Sequence, residues 1–274
     1  MSEVEEPGFR VLAQRIAGRS GLDVGAYKDR CLKRRIASRM RACGVGSYLE
    51  YLDALDQRPE ELDRLLDALT INVTKFFRNR ETWAWLETQL LPGLLAQREG
   101  RIRMWSAGCA SGEEPYTLAI LAARVLERMG RSAWFSRIQI DATDVDRASL
   151  ERTRAACYGL RAFDEAEPGI IERWTLPVAD AQHQILAALR ERVTVHRHDL
   201  TRESAVSPPY DLICCRNVVI YFDRGTQDRL MLEFADALGP GGYLVLGKVE
   251  SILGTARARY DVVESRERIY RRAA

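Results

Sequence analysis

The sequence predicts an α/β protein: a mostly parallel, doubly wound sheet with an antiparallel last strand, preceded by a small all-helical domain. Two observations carry this. Over the first ~90 residues apolar side chains recur at helical spacing, whereas from Arg101 onward short apolar runs alternate with amphipathic stretches, the pattern of strands joined by crossover helices. A third observation bounds the size. The 274 residues, 46% hydrophobic and 29% charged, suit a soluble chain of one large or two modest domains. The expected division is a helical domain over 1–78 and an α/β domain over 79–274, with the less regular segment from Phe163 to Arg190 (163–190) as a small subdomain.

The elements follow in order. In "AYKDRCLKRRIASRMRACG" Leu32, Ile36, Met40 and Cys43 share one helical face, Arg30, Lys33, Arg34 and Arg41 fall opposite, and Gly44 stops the helix. "SYLEYLDAL" and "PEELDRLLDALTINVT" read as two more helices, the second opened by Pro59 and by acids in its first turn. "RETWAWLETQLLPGLL" reads as a connecting helix closed near Pro92-Gly93. Strands are expected in "RIRMWSAG", "RIQIDATDVD", "RVTVHRHDL", "YDLICCRNVVIYF" and "GGYLVLG", with "YDVVESRERIYRR" as a closing hairpin. The helices between them are "EPYTLAILAARVLERMG", "SLERTRAACYG" and "TQDRLMLEFADALG".

A net charge of +2 gives no basic field for nucleic acid. The start "MSEVEEPGF" is acidic and lacks the apolar core of a signal peptide, and no apolar run is long enough to span a bilayer. The six cysteines form no CxxC pair, so reduced thiols in a cytoplasmic protein are expected. His196 and His198 share a strand face as ligands would, but with one other histidine in the chain no metal site is expected.

Ligands of doubly wound sheets sit outside the carboxyl ends of the strands. There the sequence places Gly108 to Glu114, Asp144, Asp199, and Arg216 with Asn217. An acid ending the second strand suits the two hydroxyls of an adenosine ribose. The loop "GCASGEEPY" lacks the Lys-Ser/Thr of a phosphate-binding loop, and Glu113 would repel a pyrophosphate. A cofactor with an adenosyl end and cationic groups fits better, and S-adenosylmethionine is such a molecule.

The stretches "LTINVTKFFRN", "WSAGCASGEEPYTLA", "ATDVD", "FDEAEPG", "YDLICCRNVVIYFD", "LGPGGYLVLGKVES" and "RIYRR" make the resemblance specific. Along nearly its whole length the chain resembles the CheR-type chemotaxis receptor methyltransferases. The resemblance implies a class I methyltransferase-like fold with a helical N-terminal domain and an inserted antiparallel subdomain. It implies methyl transfer from S-adenosyl-L-methionine to receptor glutamate carboxylates, giving γ-methyl esters for sensory adaptation and S-adenosyl-L-homocysteine as product. The partners would be the cytoplasmic helices of a chemoreceptor, a methyl-accepting protein, with only peripheral contact with the membrane. Carried over by motif, Asn72, Thr74 and Arg78 reach the cofactor from the helical domain, and Ala107 and Glu113 lie along its methionine portion. Asp144 takes the ribose hydroxyls, Asp199 and Leu200 flank the adenine, Arg216 and Asn217 line the reacting end, and Arg78 and Tyr221 face the acceptor. Two positions depart from the family's usual pattern: Asp199 stands where Asn is common, and Val249, after Lys248, where a small polar residue is common.

The implied acceptor is ionised at neutral pH and needs no general base, so the site must supply alignment and desolvation. An arginine at 78 can grip a carboxylate at two points, and Phe76-Phe77 would dock its segment. The basic face of the second helix would meet an acidic receptor, with salt-sensitive association. Two other readings keep the cofactor but change the role: a methyltransferase for a small-molecule carboxylate, or a non-catalytic regulator that binds S-adenosylmethionine.

Overall fold

The computed structural model describes the chain except residues 1–4, 21–23, 70–73 and 98–99. By internal contacts it divides into two units, Met1–Asn72 with Tyr221–Thr226, and Val73–Ile220 with Gln227–Ala274. Thr74 and Arg78 therefore group with the second unit. No helix among the described residues is long and apolar enough to cross a membrane.

The first unit is built on α1 (Glu5–Ser20), α2 (Asp29–Cys43), α3 (Tyr48–Gln57) and α4 (Pro59–Leu69). Gly44 ends α2 in the left-handed region at φ 73°, and Ser47 opens α3 with a reciprocal cap to Glu50. Leu32, Ile36 and Met40 are buried as their spacing requires, together with Leu12, Ile16, Tyr51, Leu55 and Leu65. At their centre Glu61 is buried and accepts from Arg39 Nη2 at 2.7 Å and from the Tyr51 hydroxyl at 2.7 Å, tying α2, α3 and α4 together. Arg30, Arg34 and Arg41 are exposed on the far face. Lys33 is not an equal member of that face: its ammonium lies 4.9 Å from the centre of the Phe9 ring and 3.8 Å from Asp29. The segment after Ile220 joins this unit through hydrogen bonds from Lys28 N–H to the Tyr221 carbonyl (2.9 Å) and from Asp223 N–H to the Ala26 carbonyl (3.0 Å).

The second unit opens with α5 (Arg80–Trp85), which passes through a π-helical turn at Leu86–Leu90 into α6 (Leu91–Gln97). The helix thus runs past Pro92-Gly93 instead of closing there. Proline removes one donor near the helix start of α6, and burial of Leu91, Leu94 and Leu95 outweighs that loss. There follow β1 (Ile102–Ala107), α7 (Glu113–Arg128), β2 (Ile138–Asp144), α8 (Arg147–Ala155), β3 (Cys157–Gly159), α9 (Ile170–Trp174), β4 (Thr175–Val178) and β5 (Gln182–Ile185). The chain ends through α10 (Ala187–Arg190), β6 (Val193–Arg197), β7 (Tyr210–Cys215), α11 (Arg224–Ala237), β8 (Leu238–Leu246), β9 (Tyr260–Glu264) and β10 (Ile269–Arg272).

The main sheet has the order β6-β2-β1-β7-β8-β10-β9. Its neighbours are parallel from β6 to β8, and β10 runs antiparallel to both β8 and β9. The closing hairpin is present, with its last strand inserted beside β8. A second, antiparallel sheet of order β3-β5-β4 forms the inserted subdomain. It starts before Phe163, because Ala156 turns left-handed at φ 52° and releases Cys157–Gly159 from the expected helix to pair with β5. The strand at β7 also stops sooner than its apolar run, at Cys215, since Arg216 and Asn217 leave the ladder. From β1 the chain steps outward to β2 and β6, then returns to β7 on the other flank of β1. In doubly wound sheets such a reversal marks the ligand-binding edge, here at the carboxyl ends of β1 and β7.

Candidate cofactor site

The loop after β1 is held by backbone bonds to the end of β2. Gly108 and Cys109 donate to the Thr143 carbonyl at 2.8 and 2.9 Å, and Ala110 N–H donates to Asp144 Oδ2 at 2.8 Å. Glycine is required at two points. A Cβ on Gly108 would lie 2.5 Å from Val218 of the neighbouring loop, and one on Gly112 would lie 2.7 Å from the Tyr158 hydroxyl, both at positive φ. The turn delivers Glu113 and Glu114 to the first turn of α7, with Ala107 buried at the end of β1. Glu113 is buried and accepts from the Ser111 hydroxyl, and burial pushes its carboxyl up.

Asp144 ends β2 beside this loop. Besides Ala110 it accepts from Asp146 N–H at 3.0 Å, and burial raises its carboxyl against these bonds and a further backbone bond from Val145. A carboxylate offers about four acceptor positions, so these N–H donors leave room for a ribose hydroxyl. Asp199, after β6, is buried; its Oδ1 takes both the N–H and the hydroxyl of Thr201, at 2.8 and 2.6 Å, while Oδ2 is buried without a partner. Leu200 beside it is buried. Asn217, after β7, is left-handed at φ 61°, and its Oδ1 is also buried without a partner.

Arg216 does something the sequence does not disclose. Its guanidinium is buried 4.7 Å from the centre of the Trp83 ring, donates to the Arg78 carbonyl at 2.8 Å and to Asn79 Oδ1 at 3.1 Å, and pairs with Glu114 at 3.5 Å. Expected to line the reacting end, it is seen as a clamp that fixes the Arg78-Asn79 turn to the strand ends. Glu114, placed at the strand ends by the sequence but given no role there, is its counter-ion and also accepts from Ser106; burial pushes its carboxyl up. The paired acids of "GEEPY" are the sequence feature that flags it, although only the fold separates their tasks. The Arg78 segment is docked further by Phe76, stacked on Phe163 at 4.3 Å, and by Phe77 N–H on the Thr117 hydroxyl at 3.2 Å. Arg78 itself is partly exposed, as is Thr74.

Asn72 lies outside the described residues. Tyr221 groups with the helical unit, where the Arg35 guanidinium lies 4.6 Å from its ring centre. The histidines have other partners: His196 faces Asp141 at 3.4 Å, and His198 bonds the Ser204 carbonyl at 2.9 Å and packs edge-on to Trp105.

Comparison with known proteins decides the family. Residues 72–269 match the family model described as "CheR methyltransferase, SAM binding domain", and residues 7–70 match "CheR methyltransferase, all-alpha domain". The chain belongs to the CheR methyltransferase family. It is 38% identical over 237 residues to a chemotaxis protein methyltransferase of Listeria monocytogenes, covering 86% of this chain and 87% of that one. A chemotaxis protein methyltransferase of Escherichia coli is 30% identical over 250 residues, covering 89% and 84%. Among solved structures, a TehB-like SAM-dependent methyltransferase from Corynebacterium glutamicum overlaps 70% of this chain and 94% of that one at 12% identity, with a TM-score of 0.37. As a family member the chain is an S-adenosylmethionine-dependent methyltransferase.

The residues present fit that cofactor. Glu113, Asp144 and Asp199 offer carboxylate acceptors, and Asp199 Oδ2 and Asn217 Oδ1 are buried acceptors awaiting donors. Against these stands the Arg216 guanidinium, already engaged by Glu114. The surplus of negative charge suits a ligand bearing ammonium and sulfonium groups.

Proposed function

We propose that this methyltransferase acts on glutamate side chains of a chemoreceptor-type protein, forming γ-methyl esters. The observation that carries the reading is the clamped turn: a buried guanidinium holds the backbone of Arg78 at the carboxyl ends of the strands, where an arginine can align an anionic acceptor. The names of relatives at 30–38% identity support the same acceptor.

Bound at this site, S-adenosylmethionine supplies an electrophilic methyl group. The chain's own residues do the rest. Glu113, Asp144, Asp199 and Asn217 hold the ligand; Arg216 and Glu114 fix the Arg78 turn; Arg78 presents a planar two-point donor to a carboxylate already ionised at neutral pH. No proton has to be removed from such an acceptor, so alignment and exclusion of water are what the protein contributes. The exposed Arg30, Arg34 and Arg41 of α2 form the surface for an acidic helical partner.

The test incubates the protein with methyl-labelled S-adenosylmethionine and receptor-bearing membranes, then measures methanol released by base. Base-labile label on the receptor is the expected result. Label on a small molecule of a lysate, or tight cofactor binding with no transfer, would replace the proposal with one of the two other readings.

A further inference from the structure

Glu250 follows β8 in "GKVES" and is 3% exposed. Its Oε2 accepts N–H from Gly247 at 2.6 Å and from Asn217 at 2.9 Å, and its Oε1 accepts N–H from Ile220 at 3.2 Å. One carboxylate thus joins the loop after β7 to the loop after β8. A buried carboxylate is costly unless hydrogen-bonded, and these backbone groups supply the bonds. Gly247 belongs to the arrangement. A Cβ there would fall 2.7 Å from Glu250 Oε2 and 2.8 Å from the Asn217 nitrogen, so a side chain would force the two loops apart. The residue so held is Asn217, left-handed and with its carboxamide oxygen buried and unpartnered.

We propose that Glu250 is a positioning residue for the cofactor: by fixing the backbone of Asn217 it aims that carboxamide at donor groups of the ligand. The proposal rests on Asn217 being a cofactor contact. A staple that served stability alone would lower the melting temperature, and its effect on ligand affinity would not depend on the side chain at 217.

The experiment is calorimetric binding of S-adenosylhomocysteine to the full chain, with no acceptor protein present. The variants are Glu250→Gln, Asn217→Gly, which keeps the left-handed turn but removes the carboxamide, and the two together. Glu250→Gln presents an amide NH₂ where an oxygen accepted an N–H, and affinity is expected to fall about tenfold or more. The double variant is expected to bind no more weakly than Asn217→Gly alone, because residues acting through one another are not additive. Should Glu250→Gln not fold, Gly247→Ala carries the same comparison with the charge retained. Wild-type affinity in whichever folded variant is used, or additive losses, would overturn the proposal. Absence of binding by the wild-type chain would sink the cofactor site and this proposal with it, whereas wild-type binding with additive losses sinks only the role of Glu250.

Discussion

Ionised carboxylates set the behaviour of single residues at the site. Burial raises Glu113, Asp144 and Glu250 above their ordinary values, with hydrogen bonds opposing the rise. An acid whose folded-state pKa exceeds its unfolded value favours the fold fully below the unfolded pKa and loses that contribution as pH rises through the folded one. The ligand-free site is therefore relatively favoured in mild acid, where a cationic ligand is bound least well. Affinity for S-adenosylmethionine is expected to fall as pH drops from neutrality toward the ordinary carboxylate range, with protons released on binding. Calorimetry in two buffers of different ionisation enthalpy measures both, and a pH-independent constant would contradict it. Asp144→Asn removes the charge while leaving one acceptor oxygen. It is expected to weaken cofactor affinity about ten- to a hundredfold, the range of a charged hydrogen bond; unchanged affinity would make Asp144 a loop anchor alone. Arg78→Lys keeps the charge but loses the planar grip. Single-turnover transfer should slow on the order of a hundredfold while product affinity stays within a few-fold, and a full-speed variant would remove Arg78 from the acceptor.

Among elements, α2 turns opposite faces to different tasks. One side buries Leu32, Ile36 and Met40 and carries Arg35 over Tyr221 and Arg39 to Glu61; the other exposes Arg30, Arg34 and Arg41. Changing those three exposed arginines to Glu should slow receptor methylation severalfold at low salt, with the gap closing as salt is raised. Cofactor affinity should not move. Equal rates at low salt would return the face to simple solvation. Lys33 is left out of the set because its ammonium already serves Phe9 and Asp29. Periodicity alone grouped it with the others, since helical spacing reports direction but not partners.

For the molecule as a whole, buried carboxylates of the two units are shifted in opposite directions. Burial of Glu61 would raise its carboxyl, but hydrogen bonds from Arg39, Tyr51 and Cys43 outweigh that and hold it below the ordinary value. Its contribution is present above the unfolded pKa and lost as pH falls through the folded one. In the α/β unit Glu113, Glu114, Asp144 and Glu250 are raised by burial and show the reverse tendency, while Glu81 and Asp228 are lowered by their hydrogen bonds. All five tryptophans, Trp83, Trp85, Trp105, Trp134 and Trp174, lie in the α/β unit. On acidification, loss of helical circular dichroism should therefore precede any shift in tryptophan emission. Coincident transitions would show one cooperative unit instead.

Local and periodic features were legible in the sequence itself. Leu32, Ile36 and Met40 announced a helix by spacing, Gly108 and Gly112 a turn that no side chain could fill, and the strand-helix alternation a doubly wound sheet. The strand-end positions of Asp144, Asp199 and Asn217 were legible too, because strand ends in such a sheet converge on one edge. What the sequence did not hold was pairing across distance. That Arg216 grips the carbonyl of Arg78, that Glu250 catches the backbone of Asn217, and that Tyr221–Thr226 leaves the sheet to bond with Ala26 and Lys28 all join residues far apart in the chain. Spacing fixes which way a side chain faces along its own element. Which carboxylate meets which backbone N–H is decided only when the elements pack and water is excluded, for then each buried polar group must find a partner or remain costly.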